Sequence, residues 1–308
     1  MSHVCREHVR VEFTLPHFPP SHPGQFLQVL CREPSSTSYA DADWPESGFP
    51  KLHSLAWPPR AAYLRRPFSI ADHSVDDQGQ ARLAIISRAV GPGTTWLDGL
   101  ARGADLNITG PLGQGFGIPA DDRALVLVGG GVGIPPMIYL SRRLAELGRI
   151  DVTVIFGALS RELLPAGLRS EPSDAGDPRP CLALPGGAAR YGAIVTTDDG
   201  SCGLRGFTTD GLSRWIDRNA GRPATVFACG PEAMLRAVAS VCGGVGLGCQ
   251  LCVERNMGCG LGTCLSCVVR VRDPGRPQGW RWALSCGEGP VFEAGQLCDY
   301  GERRAGDD

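Results

Sequence analysis

Five of the thirteen cysteines lie between Cys249 and Cys267, among glycines, and this cluster constrains the chain more than any other feature. The cysteine count is odd and the spacing too uneven for the disulfide framework of a small secreted protein. In a reducing compartment such clustering points to metal or redox chemistry. Cys259, Cys264 and Cys267 stand in a C-x4-C-x2-C run, a spacing that holds a [2Fe–2S] cluster. Four thiolates offset the charge of two ferric ions, and soft sulfur suits iron. Cys286, in Ala283-Leu284-Ser285-Cys286, is available as the fourth ligand, with Cys298 as the spare candidate. Gly258, Gly260 and Gly262 let the loop bend tightly and aim backbone N–H groups at sulfur. The competing reading is a structural zinc site. Cys249-x2-Cys252 with Cys264-x2-Cys267 is similar to a zinc ribbon, though the gap between the pairs is short for that pattern. With iron bound elsewhere, Cys249 and Cys252 are buried thiols or loop residues.

The 308 residues suffice for two domains, or two with a small appendage, and 43% hydrophobic residues suffice for ordinary cores. Val9, Val11, Phe13 and Leu15 alternate onto one face, and strand-like runs return at Arg82–Ile86 and Asp105–Ile108. Between them, Glu33 to Pro59 is rich in Pro, Ser, Asp and Trp and reads as a long loop or insertion. The expectation is a small all-β domain over residues 1–121, most simply a barrel. From Ala124 the pattern changes. Buried-strand runs at Leu125–Val128, Val152–Phe156 and Thr225–Ala228 alternate with helices. Met137, Leu140, Leu144 and Leu147 recur at helical spacing before Gly148, and Glu232–Ala239 forms another helix. Strand–helix alternation predicts a doubly wound parallel sheet over residues 122–245. Residues 246–308 are too few for a core of their own, so a metal site would hold them together.

A net charge of −2 argues against nucleic acid or an anionic membrane as the main partner. Lys51 is the only lysine, and arginine supplies the remaining positive charge. The polar start and the short longest apolar run, near Ala124–Val128, lead us to expect a soluble, cytoplasmic protein.

Arg66-Pro67-Phe68-Ser69 lies in the β segment upstream of the parallel sheet. Arginine suits a diphosphate, Phe68 can pack on a ring system and Ser69 can bond to it, although a surface arginine is the plainer reading. Gly91-x-Gly93-Thr94 offers backbone amides to a phosphate, or is a simple turn. Gly129-Gly130-Gly131-Val132-Gly133-Ile134-Pro135 follows a strand and opens a helix, the context of a dinucleotide loop. No acidic residue ends the second strand near Phe156-Gly157. Ser160 and Arg161 lie there instead and could accept a 2′-phosphate, so NADP stays open beside NAD. Cys229-Gly230-Pro231 ends a later parallel strand, where ligands gather, although Cys229 also reads as a core thiol.

These motifs in this order resemble the ferredoxin–NADP reductase superfamily and, within it, the electron-transfer subunits of type B dihydroorotate dehydrogenase. The resemblance runs from about Pro23 to Glu293. It includes Gly110-Pro111-Leu112-Gly113-Gln114-Gly115-Phe116, Thr197-Asp198-Asp199-Gly200-Ser201, Gly206-Phe207-Thr208-Thr209-Asp210 and the cluster loop. It implies an FAD-binding β-barrel, an NAD-binding α/β domain and a small C-terminal [2Fe–2S] domain. It implies FAD on Arg66, Pro67, Phe68, Ser69, Ile86, Ser87, Arg88, Gly93 and Thr94. It implies NAD on Gly129, Gly130, Gly131, Val132, Gly133, Ile134, Pro135, Thr197, Asp198, Cys229, Gly230 and Pro231. It further implies a separate FMN-containing catalytic subunit, two of each in a heterotetramer, and no catalytic base on this chain. Electrons would pass from the partner's FMN to the cluster, then FAD, then NAD⁺. Related builds in sulfhydrogenases and ferredoxin–NADP oxidoreductases are the rival reading, and a zinc-stabilised interaction module is the rival of another class. Two departures stand out: the long 33–59 insertion and the extended gap between Cys267 and Cys286.

Overall fold

Alternation over Val9–Leu15 gives a strand with one wet face, and the computed structural model builds the first third of the chain from such strands. It describes residues 1–32, 40–43, 45–48, 51–55, 62 and 64–300. The first segment holds β1 (Ser2–Cys5), β2 (His8–Leu15), β3 (Phe26–Val29), β4 (Ala40–Asp43), β5 (Lys51–Leu55), β6 (Arg66–Ser69), β7 (Asp72–Val75), β8 (Ala81–Arg88), α1 (Pro92–Asp98) and β9 (Ile108–Leu112). One antiparallel sheet runs β1-β2-β8-β7 and another β6-β3-β9. They close on a shared core that includes Val9, Val11, Leu27, Val29, Ile70, Leu83 and Ile85. The Ala71 N–H donates to the Ala84 carbonyl (2.8 Å) and joins the two sheets. Two expectations change here. The Asp105–Ile108 run is strand only from Ile108, which then passes through Gly110-Pro111 to Leu112. The expected 33–59 loop contains an antiparallel hairpin, β4 with β5, while Glu33 and Pro59 lie outside the described residues.

The second segment holds β10 (Ala124–Gly130), α2 (Ile134–Glu146), β11 (Val152–Ala158), β12 (Gly192–Thr197), β13 (Leu204–Arg205), α3 (Thr208–Arg218), β14 (Ala224–Cys229) and α4 (Glu232–Val245), alternating as expected except that no α-helix separates β11, β12 and β13. The third holds β15 (Gly248–Cys252), β16 (Val268–Arg272), β17 (Trp280–Leu284) and β18 (Val291–Glu293). One sheet runs β13-β12-β11-β10-β14-β15-β18, parallel except for β18. Residues 246–300 thus share the sheet of 122–245 through β15 and β18, rather than relying on a metal alone. The core explains why. Leu125, Val126, Leu127 and Val128 are all fully buried, and each such side chain contributes about 1.5–3 kcal/mol. Leu125 and Leu127 face α2, and Val126 and Val128 face α3 and α4. That is the double winding. Leu147, expected on the buried face of α2, is 49% exposed, because Gly148 turns the chain back there.

The segments are sewn together. Tyr139 of α2 donates to the Ser21 carbonyl (2.8 Å), and Arg142 pairs with Asp72 of β7. The Gly117 N–H donates to Gln250 Oε1 and Gln250 Nε2 to the Gly117 carbonyl, both at 2.9 Å. Among the described residues no helix is long and apolar enough to cross a membrane.

Candidate functional site

Where the strand order reverses, the sheet opens a crevice. The chain leaves β10 toward β11, β12 and β13, then returns to place β14 on β10's other side. Ligands of open α/β sheets bind at such a switch point, outside the carboxyl ends of the strands. A cleft of about 940 Å³ lies there, between the β-barrel and the sheet. Its walls include Arg66–Ser69, Ile86–Arg88, Gly91–Thr94, Val132, Gly133, Pro135, Cys229, Gly230, Glu254–Gly258 and Ser266.

The barrel wall comes first. Pro67 lies on β6, an edge strand, where its missing N–H is harmless. Phe68 departs from expectation: it lines the cleft but is 91% buried in the barrel core, not free to stack on a ligand ring. Ser87 is buried and its Oγ has no partner among the described residues. A buried hydroxyl left unpaired is costly, so a ligand's polar edge fits it. Arg88 is half-buried and paired with Glu7. Thr94 is at the cleft, but its hydroxyl closes its own turn, accepting from Val90 N–H (2.9 Å) and Gly91 N–H (3.0 Å).

The sheet wall is tighter. Gly129 and Gly130 finish β10, and Gly131–Gly133 form a single 3₁₀ turn before α2. A Cβ on Gly133 would lie 2.1 Å from the Cys229 carbonyl oxygen, so only glycine lets this turn touch the end of β14. The neighbouring Cys252 thiol, then burial, hold the Cys229 thiol well above its usual pKa, so it is a neutral thiol and not a nucleophile. Ile134 is buried in the sheet core and Pro231 begins α4, both beside the cleft and not on its walls. Thr197 and Asp198 also stay off the walls. Thr197 Oγ1 donates to the Cys202 carbonyl (2.8 Å), and the Asp198 N–H bonds the Ala158 carbonyl (3.2 Å). Arg161, the candidate for a 2′-phosphate, makes a paired contact with Glu171 at 2.6 and 2.9 Å.

The third wall leads into the cysteine loop. The N–H groups of Leu261 and Cys264 donate to Cys259 Sγ (3.3 and 3.4 Å), and the Cys259 N–H donates to Cys264 Sγ (3.4 Å). Ser266 Oγ stands 3.1 Å from Cys264 Sγ and accepts from the Gly258 N–H. Ser266, through its hydroxyl and then its backbone, pulls the Cys264 thiol down to about 6. Cys267 and Cys286 are buried. Burial first, then the adjacent Cys267 thiol, push Cys286 up to about 11. The extended gap before Cys286 is a hairpin: Val268 pairs with Leu284 and Arg272 with Trp280, so the strands return Ser285 N–H to the Cys267 carbonyl (2.9 Å). Cys298 instead bonds Arg270, halfway along β16. N–H donors turned onto the Cys259 and Cys264 sulfurs suit an anionic iron–sulfur group, although among the described residues no three His, Cys, Asp or Glu side chains are gathered closely enough to hold a single metal ion.

The zinc-ribbon alternative fails on strand geometry. Cys249 and Cys252 sit three apart on β15 and so point to opposite faces. Cys249 packs with the α3–α4 core and Cys252 with the α2 core. They cannot grip one ion.

Sequence reading held Glu254–Asn256 and Ser266 only as part of the resembling stretch from Glu254 to Cys267, without a role, and did not single out Gln28. Ser266 had a signal, being next to Cys267 in the loop; Gln28 had none. It also missed what Gly110–Phe116 does. Gln114 N–H donates to the Gly289 carbonyl (2.6 Å) and Gln114 Nε2 to the Gly287 carbonyl (3.2 Å). That motif docks the barrel onto the segment after Cys286.

Comparison with known proteins agrees with this geometry. Residues 254–298 match the family described as the iron–sulfur cluster binding domain of dihydroorotate dehydrogenase B. The dihydroorotate dehydrogenase B (NAD(+)) electron transfer subunit of Geobacillus kaustophilus is 36% identical over 238 residues, covering 76% of this chain and 80% of that protein. The subunit of the same name from Desulforamulus reducens is 29% identical over 275 residues, covering 89% and 86%. Among solved structures, NADH-dependent reduced ferredoxin–NADP oxidoreductase superposes with a TM-score of 0.68 at 21% identity, covering 96% of this chain and 87% of that one. Phthalate dioxygenase reductase superposes at 0.50 and 19%, covering 92% and 73%. These two likenesses show the fold: a β-barrel followed by an α/β unit with a mostly parallel sheet. With a relative above 30% identity matched over most of its length, and the cysteine loop matched by its own family, the chain belongs to the family of dihydroorotate dehydrogenase B electron transfer subunits.

Proposed function

We propose that this chain is the electron-transfer subunit of an NAD-linked dihydroorotate dehydrogenase, carrying electrons between a [2Fe–2S] cluster, FAD and NAD. One observation carries the reading: the barrel motif, the switch-point turn and the cysteine loop all wall a single cleft. FAD exchanges one or two electrons, and so joins a one-electron cluster to a hydride carrier.

The division of labour follows the three segments. Residues 1–121 hold the flavin, 122–245 the nicotinamide nucleotide and 246–308 the cluster. Arg66 and Arg88 offer guanidinium groups to a diphosphate. Ser69 and the unpartnered Ser87 hydroxyl offer polar contacts to a ring edge, and Pro67 and Phe68 set the backbone that presents them. Gly93 and Thr94 shape the turn, Thr94 by capping it. Gly129–Gly133 and Cys229–Gly230 keep the switch point narrow. Cys229 meets a nicotinamide as a neutral, polarisable wall. Pro135 lines the nucleotide side of the crevice, Ile134 and Pro231 support it from behind, and Thr197 and Asp198 lie off its walls at the end of β12. Cys259, Cys264, Cys267 and Cys286 hold the cluster, with Cys259 and Cys264 outside and Cys267 and Cys286 within.

No side chain here is required as a base for dihydroorotate. That chemistry belongs to a catalytic subunit carrying FMN, two copies of each chain forming the complex. The test is to purify the chain with that subunit and assay dihydroorotate-dependent NAD⁺ reduction. Turnover is expected. No such activity, with NADPH–ferredoxin turnover in its place, would overturn the reading.

A further inference from the structure

Strand β3 has two faces. Leu27 and Val29 enter the barrel core. Phe26 and Gln28, two apart, point the other way. Phe26 lines the cleft and packs with Cys267 and Cys286, so this face of β3 runs from the cleft to the cysteine loop. Gln28 is fully buried, and neither its Nε2 nor its Oε1 has a hydrogen-bond partner among the described residues. A buried amide left in that state is costly, so something bound nearby is expected to use it.

The amide lies on Gly260. A Cβ at Gly260 would sit 2.5 Å from Gln28 Nε2 and 2.6 Å from its Cγ. Gly260 follows Cys259 directly, and its φ is +73°. Both the backbone turn and the space therefore require glycine. The backbone already gives Cys259 Sγ two N–H donors, and Gln28 brings a third N–H group to the same corner from a different strand. A carbonyl oxygen has no hydrogen to give sulfur, so Nε2 is the end that belongs against the loop.

We propose that Gln28 is a positioning residue for the cluster, its Nε2–H donating to cluster sulfur at the Cys259 corner and favouring the reduced state. This rests on the four-cysteine assignment. Gln28 adds one donor that no cysteine spacing announces. It also ties the cluster to β3, the strand paired with Arg66–Ser69.

The test labels glutamine side-chain amides with ¹⁵N in the full chain and reads the reduced cluster by pulsed EPR. A ¹⁵N coupling is expected. Of the seven other glutamines, Gln25, Gln114, Gln250 and Gln278 have side-chain amides bonded to backbone carbonyls, and loss of the coupling in Gln28→Met assigns it to Gln28. Gln28→Met, of similar length without a donor, should erase it and shift the reduction equilibrium about tenfold toward the oxidised state, which is 59 mV for one electron. An intact reduced cluster without ¹⁵N coupling overturns the proposal, and this measurement on the unaltered protein decides even if the variant fails to load. An unchanged potential in a loaded Gln28→Met protein overturns it too. A colourless protein without any EPR signal would instead sink the cluster assignment itself.

Discussion

The switch-point turn and the cysteine loop are both glycine-rich, both face the same cleft, and are held in opposite ways. The turn at Gly131–Gly133 is pressed against the Cys229 carbonyl by fully buried strands on either side. Its shape comes from the hydrophobic core and stands whether or not a ligand is bound. The cysteine loop has Leu261 and Leu265 largely exposed, and its thiols are bonded to its own N–H groups. Leu265 sits at φ +56°, a conformation that costs a side-chain-bearing residue roughly 1–2 kcal/mol. A loop with that cost and so little core is shaped by what its sulfurs bind. One wall of the cleft is preformed, and the other is completed by its metal.

The largest break in this contrast is Cys264→Ser. It should remove the cluster, lowering iron from about two per chain to near zero, and stop dihydroorotate-driven NAD⁺ reduction. Because the turn does not depend on the loop, NADH oxidation by an artificial acceptor should persist within about twofold. Its loss along with the cluster would show that the two walls are not separable. The reverse experiment is Gly133→Ala. Overpacking of about 1–3 kcal/mol should cut kcat/KM for NADH by roughly 10- to 100-fold, while the iron content and the iron–sulfur spectrum stay unchanged. Normal NADH kinetics would mean the turn has slack, contrary to the 2.1 Å left between an added Cβ and the Cys229 carbonyl oxygen.

What could be read from the sequence follows the same line. The proposed ligands Cys259, Cys264 and Cys267 were legible as candidates because ligand spacing is local. Cys286 was less so, since its place depends on the register of the β16–β17 hairpin. The hydrophobic runs of β10, β11 and β14 announced the sheet, but β15 did not. Its Gly248-Cys249-Gln250-Leu251-Cys252 reads as metal-site material, and only pairing with β14 makes it core. Thr94 and Arg161 carry the right chemistry for phosphates. Their partners, the Val90–Gly91 backbone and Glu171, are tertiary facts. Gln28 was invisible because an unpaired amide on a strand looks like any other polar residue until its surroundings are known.

A smaller effect separates the two halves of the cysteine set in the metal-free chain. Cys264, at about 6, is mostly thiolate at neutral pH, while Cys286, at about 11, is a thiol. Only the thiolate is a nucleophile. Alkylation of Cys264 by iodoacetamide should therefore rise with pH through a midpoint near 6, and Cys286 should stay unlabelled at neutral pH. Ser266→Ala removes the hydroxyl that stabilises the Cys264 thiolate, so that midpoint must move upward. Peptide mapping of the labelled cysteines measures both. Equal labelling of the two at pH 7 would erase the distinction between the outer and inner pairs.

The smallest effect concerns nucleotide choice, at the outer rim of the preformed wall. Arg161 follows β11, where a 2′-phosphate would be read, but Glu171 holds its guanidinium by two contacts. The pair is exposed, at 48% and 70%, so water and salt screen it and a ligand phosphate can compete. The unaltered protein should prefer NADH. Glu171→Gln should release the arginine and raise kcat/KM for NADPH relative to NADH by about threefold at low salt, an advantage that fades as ionic strength rises. Arg161→Ala should leave NADH kinetics unchanged and abolish the gain in the double variant. If Glu171→Gln changes nothing while Arg161→Ala alone depresses NADPH use, the arginine already reaches the nucleotide and Glu171 is no latch.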